Sequence, residues 1–222
     1  MVATPIGNLA DLTARAQALL ARVDVIACED TRTSGALLGR LGIDRPRIAY
    51  HEHNEREAAE QIAAEIGAGR SVALITDAGT PALSDPGFRL VRACRRRGLP
   101  VVPVPGPNAA VAALSASGLP THGYLFAGFL APKTSARRAF FDKHRTCDVT
   151  LVLYESCHRI AAALADVREV LGPARCVCVA KEITKVHETF LTGPASDVEA
   201  RLSRLALKGE FVLMIAPEGY EL

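Results

Sequence analysis

The stretch from Val72 to Gly87 restricts what this chain can fold into more than any other. Val72, Ala73, Leu74 and Ile75 form a short apolar run that reads as a buried strand. A turn-rich loop follows, and Asp85 and Pro86 are then placed to open a helix, as an N-cap acceptor and a proline at the first position. The loop therefore joins the carboxyl end of a strand to the amino end of a helix, where ligands collect in open α/β sheets. Gly79 lets the backbone approach a ligand closely, and helix amides offer donors to electron-rich groups. An ordinary βα connection runs about two to six residues, and this longer one reads as a ligand loop.

The first half repeats the same unit. Residues 1–4 look like the end of a strand, and a helix follows with Leu12, Ala16, Leu19, Leu20 and Val23 on one stripe. Residues 25–28 and 47–50 are further strands, the first ending in the polar cluster Glu29, Asp30, Thr31, Arg32. A helix around 34–41 stops at Gly42, and Asn54 and Glu57 have capping-box spacing for another. The helix after the ligand loop should end at Gly98. Residues 101–104 are the fifth strand, and Asn108 is placed to cap a helix of small residues. Five such alternations predict a parallel sheet covered on both faces.

Residues 118–121 break the pattern, so we expect two domains, 1–118 and 119–222. In the second, strands are expected at 124–128, 149–154, 175–180, 188–192 and 211–216. Helices are expected at 135–144, 160–171 and 196–207, the last with a Ser196/Glu199 capping box. No helix fits between 180 and 188, so those two strands should pair antiparallel within a mixed sheet. The fold class is thus α/β, with a parallel N-terminal sheet and a mixed C-terminal sheet.

With 49% hydrophobic and 23% charged residues, the chain reads as an ordinary globular protein. Its longest apolar runs are far too short for a bilayer, and Asn8 and Asp11 interrupt any secretory start, so no membrane partner is expected. Six cysteines show no CxxC pair and no histidine at zinc spacing, so no metal is expected. Cys176 and Cys178 alternate along a strand pattern, which suits reduced core thiols and a cytoplasmic protein.

Four polar segments, 4–8, 29–32, 76–85 and 105–109, lie just after first-half strands and can meet around one ligand. No GxGxxG follows the first strand and no GxxxxGK[ST] occurs, so common dinucleotide and ATP sites lack support. Residues 77–80 and 107–109 could instead hold a nucleoside-like ligand through backbone contacts and one carboxylate.

A longer series of motifs carries a resemblance. Residues 2–9, Glu29-Asp30-Thr31-Arg32 with its flanks, His51-Glu52-His53-Asn54-Glu55 and residues 77–87 resemble one family. So do 105–109, 114–121, Tyr154-Glu155-Ser156, Glu182-Ile183-Thr184-Lys185 and Lys208-Gly209-Glu210. The series is similar to the ribosomal RNA small subunit methyltransferase I family, within the tetrapyrrole methylase superfamily, over nearly the whole chain. The resemblance implies a two-domain homodimer that binds S-adenosylmethionine in a cleft between domains. It implies methyl transfer to the ribose 2′-hydroxyl of a cytidine in 16S rRNA of the small ribosomal subunit. Cofactor contacts are implied for Ile6, Asp77, Gly79, Thr80, Leu83, Asn108, Ala109, Tyr154 and Ala180.

Three departures from the family pattern stand out. Family members usually carry several residues before the first strand position seen here. Cys157 stands where the family usually has proline, which is expected to loosen a helix start. Some members also continue past the position of Leu222 into a segment thought to bind RNA.

A ribose hydroxyl is a weak nucleophile near neutral pH, so transfer needs in-line geometry and help with its proton. Glu29, Asp30, Glu155, His158 and Lys185 are the candidate bases, and Glu29 and Lys185 are taken as catalytic. Lys185 could also lower the hydroxyl's pKa or hold a phosphate, and His158 could be an ordinary helix-start histidine. Lys133, Arg137 and Arg138 fall in a basic segment just after the expected link and are expected to touch RNA phosphates, with Arg32, His158 and Arg159 joining them. A second basic group, Arg89 to Arg97, lies on one helix; such groups are usually solvated faces. Two alternatives remain: a sister methylase acting on a corrin precursor or diphthine, and a non-catalytic RNA-binding module.

Overall fold

The computed structural model describes residues 1–222, which form two compact units, Met1–Asn108 and Ala109–Leu222. In the first unit, β1 (Val25–Cys28) lies between β2 (Arg47–Ala49) and β3 (Val72–Ile75), all parallel. The two other expected strands shrink to single bridges. Val2 pairs in parallel with Val104, and the Val2 amide donates to the Leu74 carbonyl at 2.9 Å. Pro100, Pro103 and Pro105 deny the 101–104 segment the amides a longer ladder needs.

Alternation along the strands loads both faces. Ile26, Cys28, Ala73 and Ile75 pack with Ala16 and Leu20 of α1 (Ala14–Leu20) and Leu38 of α2 (Thr31–Arg40). Ala27 and Leu74 face the other way, onto Ile62 of α3 (Glu55–Gly67) and Leu90 and Cys94 of α4 (Phe88–Arg96). Each fully buried Leu or Ile contributes roughly 1.5–3 kcal/mol, so these two layers hold the sheet without long ladders. Gly98 ends α4 with φ +67°, as expected.

Three expected caps fall elsewhere. Asn54 accepts the His51 amide and donates to the Ala49 carbonyl, fixing the turn before α3 instead of capping it. The helix after the ligand loop opens at Phe88, beyond Asp85 and Pro86. Its first amides are met by Glu55, whose Oε1 accepts from Gly87 at 2.9 Å and Arg89 at 3.2 Å.

In the second unit, α5 (Ala109–Ala116) packs against β5 (Thr150–Ser156) and β8 (Glu210–Ile215). The Thr192 hydroxyl donates to the Ser117 carbonyl, tying the end of α5 to the same unit. The boundary between units thus lies before α5, ahead of the 118–121 link that sequence suggests. With β4 (Tyr124–Phe129), β6 (Cys176–Lys181) and β7 (Thr189–Pro194), the sheet order is β4-β5-β8-β6-β7. Only β4 and β5 run parallel, and β6 pairs antiparallel with β7, so the sheet is mixed as expected.

Helices α6 (Thr134–Lys143), α7 (Ile160–Leu171) and α8 (Ala195–Leu202) bring Phe141, Leu164 and Leu202 onto Leu151, Leu153, Val179 and Leu213. Cys176 and Cys178 are buried thiols. Ser196 lies inside α8, and Glu199 pairs with Arg168 at 2.7 Å, so no capping box forms. No helix is long and apolar enough to cross a membrane.

Candidate active site

The four polar segments of the first unit do meet, and the bonds that join them can be named. Thr4 and Gly79 exchange two backbone hydrogen bonds, 2.9 Å and 3.1 Å, while the Thr4 hydroxyl donates to the Thr76 carbonyl at 3.1 Å. The Thr80 hydroxyl donates to the Pro107 carbonyl at 3.0 Å. The Asp30 amide donates to the Asp77 Oδ1 at 3.2 Å, and the Asp77 amide in turn donates to the Glu29 carboxylate. Parallel strand ends bring these loops side by side, and each loop then fixes its neighbour.

The 76–87 loop is held in a shape that few residues tolerate. Gly79 has φ +79°, and a Cβ there would sit 3.4 Å from the Ile6 side chain. Ala82 and Ser84 also have positive φ, 73° and 65°, at a cost of roughly 1–2 kcal/mol each for a side-chain-bearing residue. Such strain persists where surrounding bonds over-determine it, and it gathers at ligand sites. Here the over-determination comes from the Thr4 bridge at one end and the Glu55 cap at the other. Leu83 is left 42% exposed on this loop.

Charge in this corner is one-sided. Glu29 is half-buried, and burial pushes its pKa up, with the Asp77 charge adding to the effect. Asp77 is raised as well, by burial first and by the charge of Asp30, against the Asp30 amide. Asp30 is set apart by its partners. It caps α2 by accepting the Arg32 amide at 2.7 Å, and its bonds to the Arg32 side chain hold its pKa at about 2. Asp30 is therefore an anion committed to a helix start, and Arg32 is its exposed partner. Glu29 and Asp77 both have enhanced proton affinity, and Glu29, the base expected from sequence, is thereby suited to accept a proton.

In the second unit, Lys185 is gripped rather than poised to accept a proton. Its ammonium lies 2.8 Å from both Glu182 and Glu210. Burial works against its charge, but the two carboxylates outweigh it and raise the pKa. Lys185 therefore stays protonated and suits holding or polarising an anionic group. Around it the backbone is strained: Glu182 and Thr184 have φ 52° and 67°. Gly209 has φ +87°, and a Cβ there would run into the Glu182 carboxylate, so a side chain at this position is strained and would displace Glu182.

Tyr154 accepts the Ala110 amide at 3.3 Å and meets Phe126 and Phe129 edge-on. Ala180 is fully buried in β6, and Asn108 and Ala109 are half-buried. Glu155 is buried and pairs with Arg159 at 2.9 Å, while Arg159 also donates to the Leu130 carbonyl. These two hold the turn after β5 together. His158 is exposed beside them, and Cys157 packs against the core ahead of α7.

The basic segment after the link does not act as one RNA-facing surface, because part of it is buried. Arg137 is 3% exposed and pairs with buried Asp166 at 2.7 Å, while also donating to the Pro132 carbonyl. Its charge is required inside the fold, and burial removes it from phosphate contact. Arg138 binds the other Asp166 oxygen at 2.7 Å from a half-exposed position. Lys133 precedes α6 and is exposed. Tyr50, Glu55, Glu182 and Glu210 fall within or beside the motifs that carry the family resemblance, but sequence reasoning gave them no site role. Besides the motifs, Gly209 gave a local signal, since a glycine next to a strand start marks close approach.

Residues 1–199 match the model of the family described as tetrapyrrole (corrin/porphyrin) methylases. Solved structures share the fold: the methyltransferase CobJ, with TM-score 0.67 and 19% identity, covers 96% of this chain and 90% of its own. A uroporphyrin-III-C-methyltransferase from Thermus thermophilus follows at TM-score 0.64 and 23% identity, over 97% of this chain and 92% of its own. Curated relatives stand much nearer in sequence. Ribosomal RNA small subunit methyltransferase I of Xylella fastidiosa is 48% identical across 97% of this chain and 80% of that protein. The Escherichia coli O157:H7 protein of the same name is 45% identical across 100% of this chain and 77% of its own. The chain belongs to the ribosomal RNA small subunit methyltransferase I family, within the tetrapyrrole methylases.

Proposed function

We propose that this chain transfers a methyl group from S-adenosylmethionine to the ribose 2′-hydroxyl of a cytidine in 16S rRNA, working on the small ribosomal subunit as a cytoplasmic homodimer. The observation that carries the reading is the identity of 44–48% to relatives named for small-subunit rRNA methylation, over nearly the full chain. When bound, the cofactor supplies an electrophilic methyl on a positively charged sulfur.

The residues present fit such a group. Glycine at 79 keeps a side chain out of the approach, and Glu29 and Asp77 add carboxylates with raised pKa values to the corner. Ile6, Asp77, Gly79, Thr80, Leu83, Asn108, Ala109, Tyr154 and Ala180 would hold the cofactor. Asp77 would take its hydroxyl or ammonium hydrogens, and the loop amides its acceptors. Glu29 would accept the ribose proton, for which its raised pKa suits it. Lys185, kept charged by Glu182 and Glu210, would stabilise the developing oxyanion or hold a neighbouring phosphate.

The test is mass mapping of 16S rRNA after incubating small subunits with this chain and S-adenosylmethionine. A new ribose methyl on a cytidine is expected, and Glu29→Gln should slow its appearance by 10²-fold or more, the order a general base supplies. Absence of ribose methylation, or methylation of a free tetrapyrrole instead, overturns the proposal.

A further inference from the structure

Arg137 is removed from RNA contact by burial, while another arginine group stands open on the first unit. Along α4, Phe88, Arg89, Arg92, Arg95 and Arg96 fall within one arc of about 120° at about 100° per residue. Leu90, Ala93 and Cys94 occupy the opposite, buried side. No acidic residue occurs between Phe88 and Arg97. Arginines three and four apart repel each other along a helix, so this pattern works against the helix that carries it.

Partners relieve only part of that charge. Arg89 lies 3.6 Å from Glu55, which is already committed to the α4 amides, and Arg97 pairs with Glu60 at 2.7 Å. Arg92 and Arg96 face Arg56 of α3 across an open groove of about 680 Å³, lined also by Arg89, Glu57 and Glu60. Four guanidinium groups thus line a groove with two carboxylates, one of them taken by Arg97. At its amino end stands Phe88, 65% exposed, directly after the 76–87 loop. Guanidinium groups spaced along a groove match a phosphodiester backbone, and an exposed ring beside them offers a face for an unpaired base.

We propose that the α3–α4 groove holds the ribose-phosphate backbone of single-stranded RNA, with Arg56, Arg92 and Arg96 on phosphates and Phe88 stacked on a base. The inference rests on the rRNA reading above and gives it a docking surface. Base stacking at Phe88 leads the strand toward the loop assigned to the cofactor. Phosphate contacts set affinity without reading sequence, so the groove supplies grip and leaves nucleotide choice to the methyl-transfer site.

The experiment compares the unmodified chain with Arg56→Gln/Arg92→Gln/Arg96→Gln and, separately, Phe88→Ala. Binding to isolated small subunits and to a single-stranded 16S rRNA fragment is measured at several salt concentrations. The triple variant should lose affinity at low salt, and its log–log salt slope should be shallower by about 0.7–0.9 for each contact removed. Phe88→Ala should weaken binding of the single-stranded fragment while leaving the salt slope in place. In both variants S-adenosylmethionine affinity and the thermal midpoint should hold, and KM for RNA should rise with kcat little changed. A salt slope equal to the parent's in the triple variant overturns the groove. Failure of the unmodified chain to bind small subunits overturns the rRNA reading itself, a separate result.

Discussion

Glu55, the first residue of α3, accepts the amide of Gly87 at 2.9 Å and so caps a helix thirty-two residues further along the chain. The same oxygen receives the Tyr50 hydroxyl at 3.0 Å, and that hydroxyl accepts the Leu90 amide at 3.1 Å. Two side chains thus serve the first turn of α4. Burial, and then the Glu55 charge, push the Tyr50 phenol well above its usual range.

Glu55→Ala removes this cap and should destabilise the fold by about 1–2 kcal/mol, the usual effect of losing a helix cap. Because the cap also anchors the end of the 76–87 loop, cofactor affinity should fall with it. Glu55→Gln keeps an acceptor oxygen and should recover most of both. Urea unfolding and cofactor titration on the two variants check this.

A methyl group at Gly209 would meet the Glu182 carboxylate, which would have to swing away. Gly209→Ala adds left-handed strain of roughly 1–2 kcal/mol and displaces a carboxylate whose hydrogen bonds contribute roughly 1–3 kcal/mol. A drop of at least 2 kcal/mol by urea unfolding is expected, and Lys185 should lose one partner. Unchanged stability would mean that Glu182 moves aside freely.

Opposite pH dependences should coexist in the carboxylate corner. Glu29 and Asp77 have raised folded pKa values, so the stability they contribute is complete below their unfolded values and is lost as pH rises through the raised ones. Asp30 is lowered from 3.8 to about 2, so its contribution is present above 3.8 and lost as pH falls toward 2. Asp77→Asn should therefore stabilise the chain at neutral pH while weakening cofactor binding. Carboxyl carbon shifts followed by NMR titration would separate the three groups, and a Glu29 midpoint at or below 4.5 would contradict the assignment.

Breaking the buried pair is a different matter from losing a surface charge. Arg137→Met leaves Asp166 buried with only Arg138, and a loss of about 3–5 kcal/mol is expected. The RNA salt slope of the folded variant should be unaltered. A shallower slope would return Arg137 to the RNA surface.

What depends on local periodicity was legible from residues alone. The alternation of short apolar runs with 3.6-period stripes located β1 to β3 and their helices, and the short 180–188 spacing foretold the β6–β7 hairpin. The convergence of 4–8, 29–32, 76–85 and 105–109 followed from parallel topology. The destination of a polar side chain's hydrogen bonds was not legible, because partners lie far apart in sequence. Arg137 and Asp166 are 29 residues apart, so a buried pair looked like a basic patch. Asn54 and Ser196 have capping spacing, yet a competing donor, the His51 amide, takes the Asn54 oxygen, and α8 starts before Ser196.

The order β4-β5-β8-β6-β7 puts Glu210–Ile215 in the middle of its sheet, between β5 and β6. A growing polypeptide makes this strand after all its neighbours. Until then β5 and β6 each expose an unfilled edge to solvent, rich in Leu and Val in β5 and in Val and Cys in β6. The first unit has no such dependence on later residues and can close while translation continues. The second unit's vulnerable interval lasts until its central strand clears the exit tunnel, and holding factors at the ribosome would be needed most during that delay.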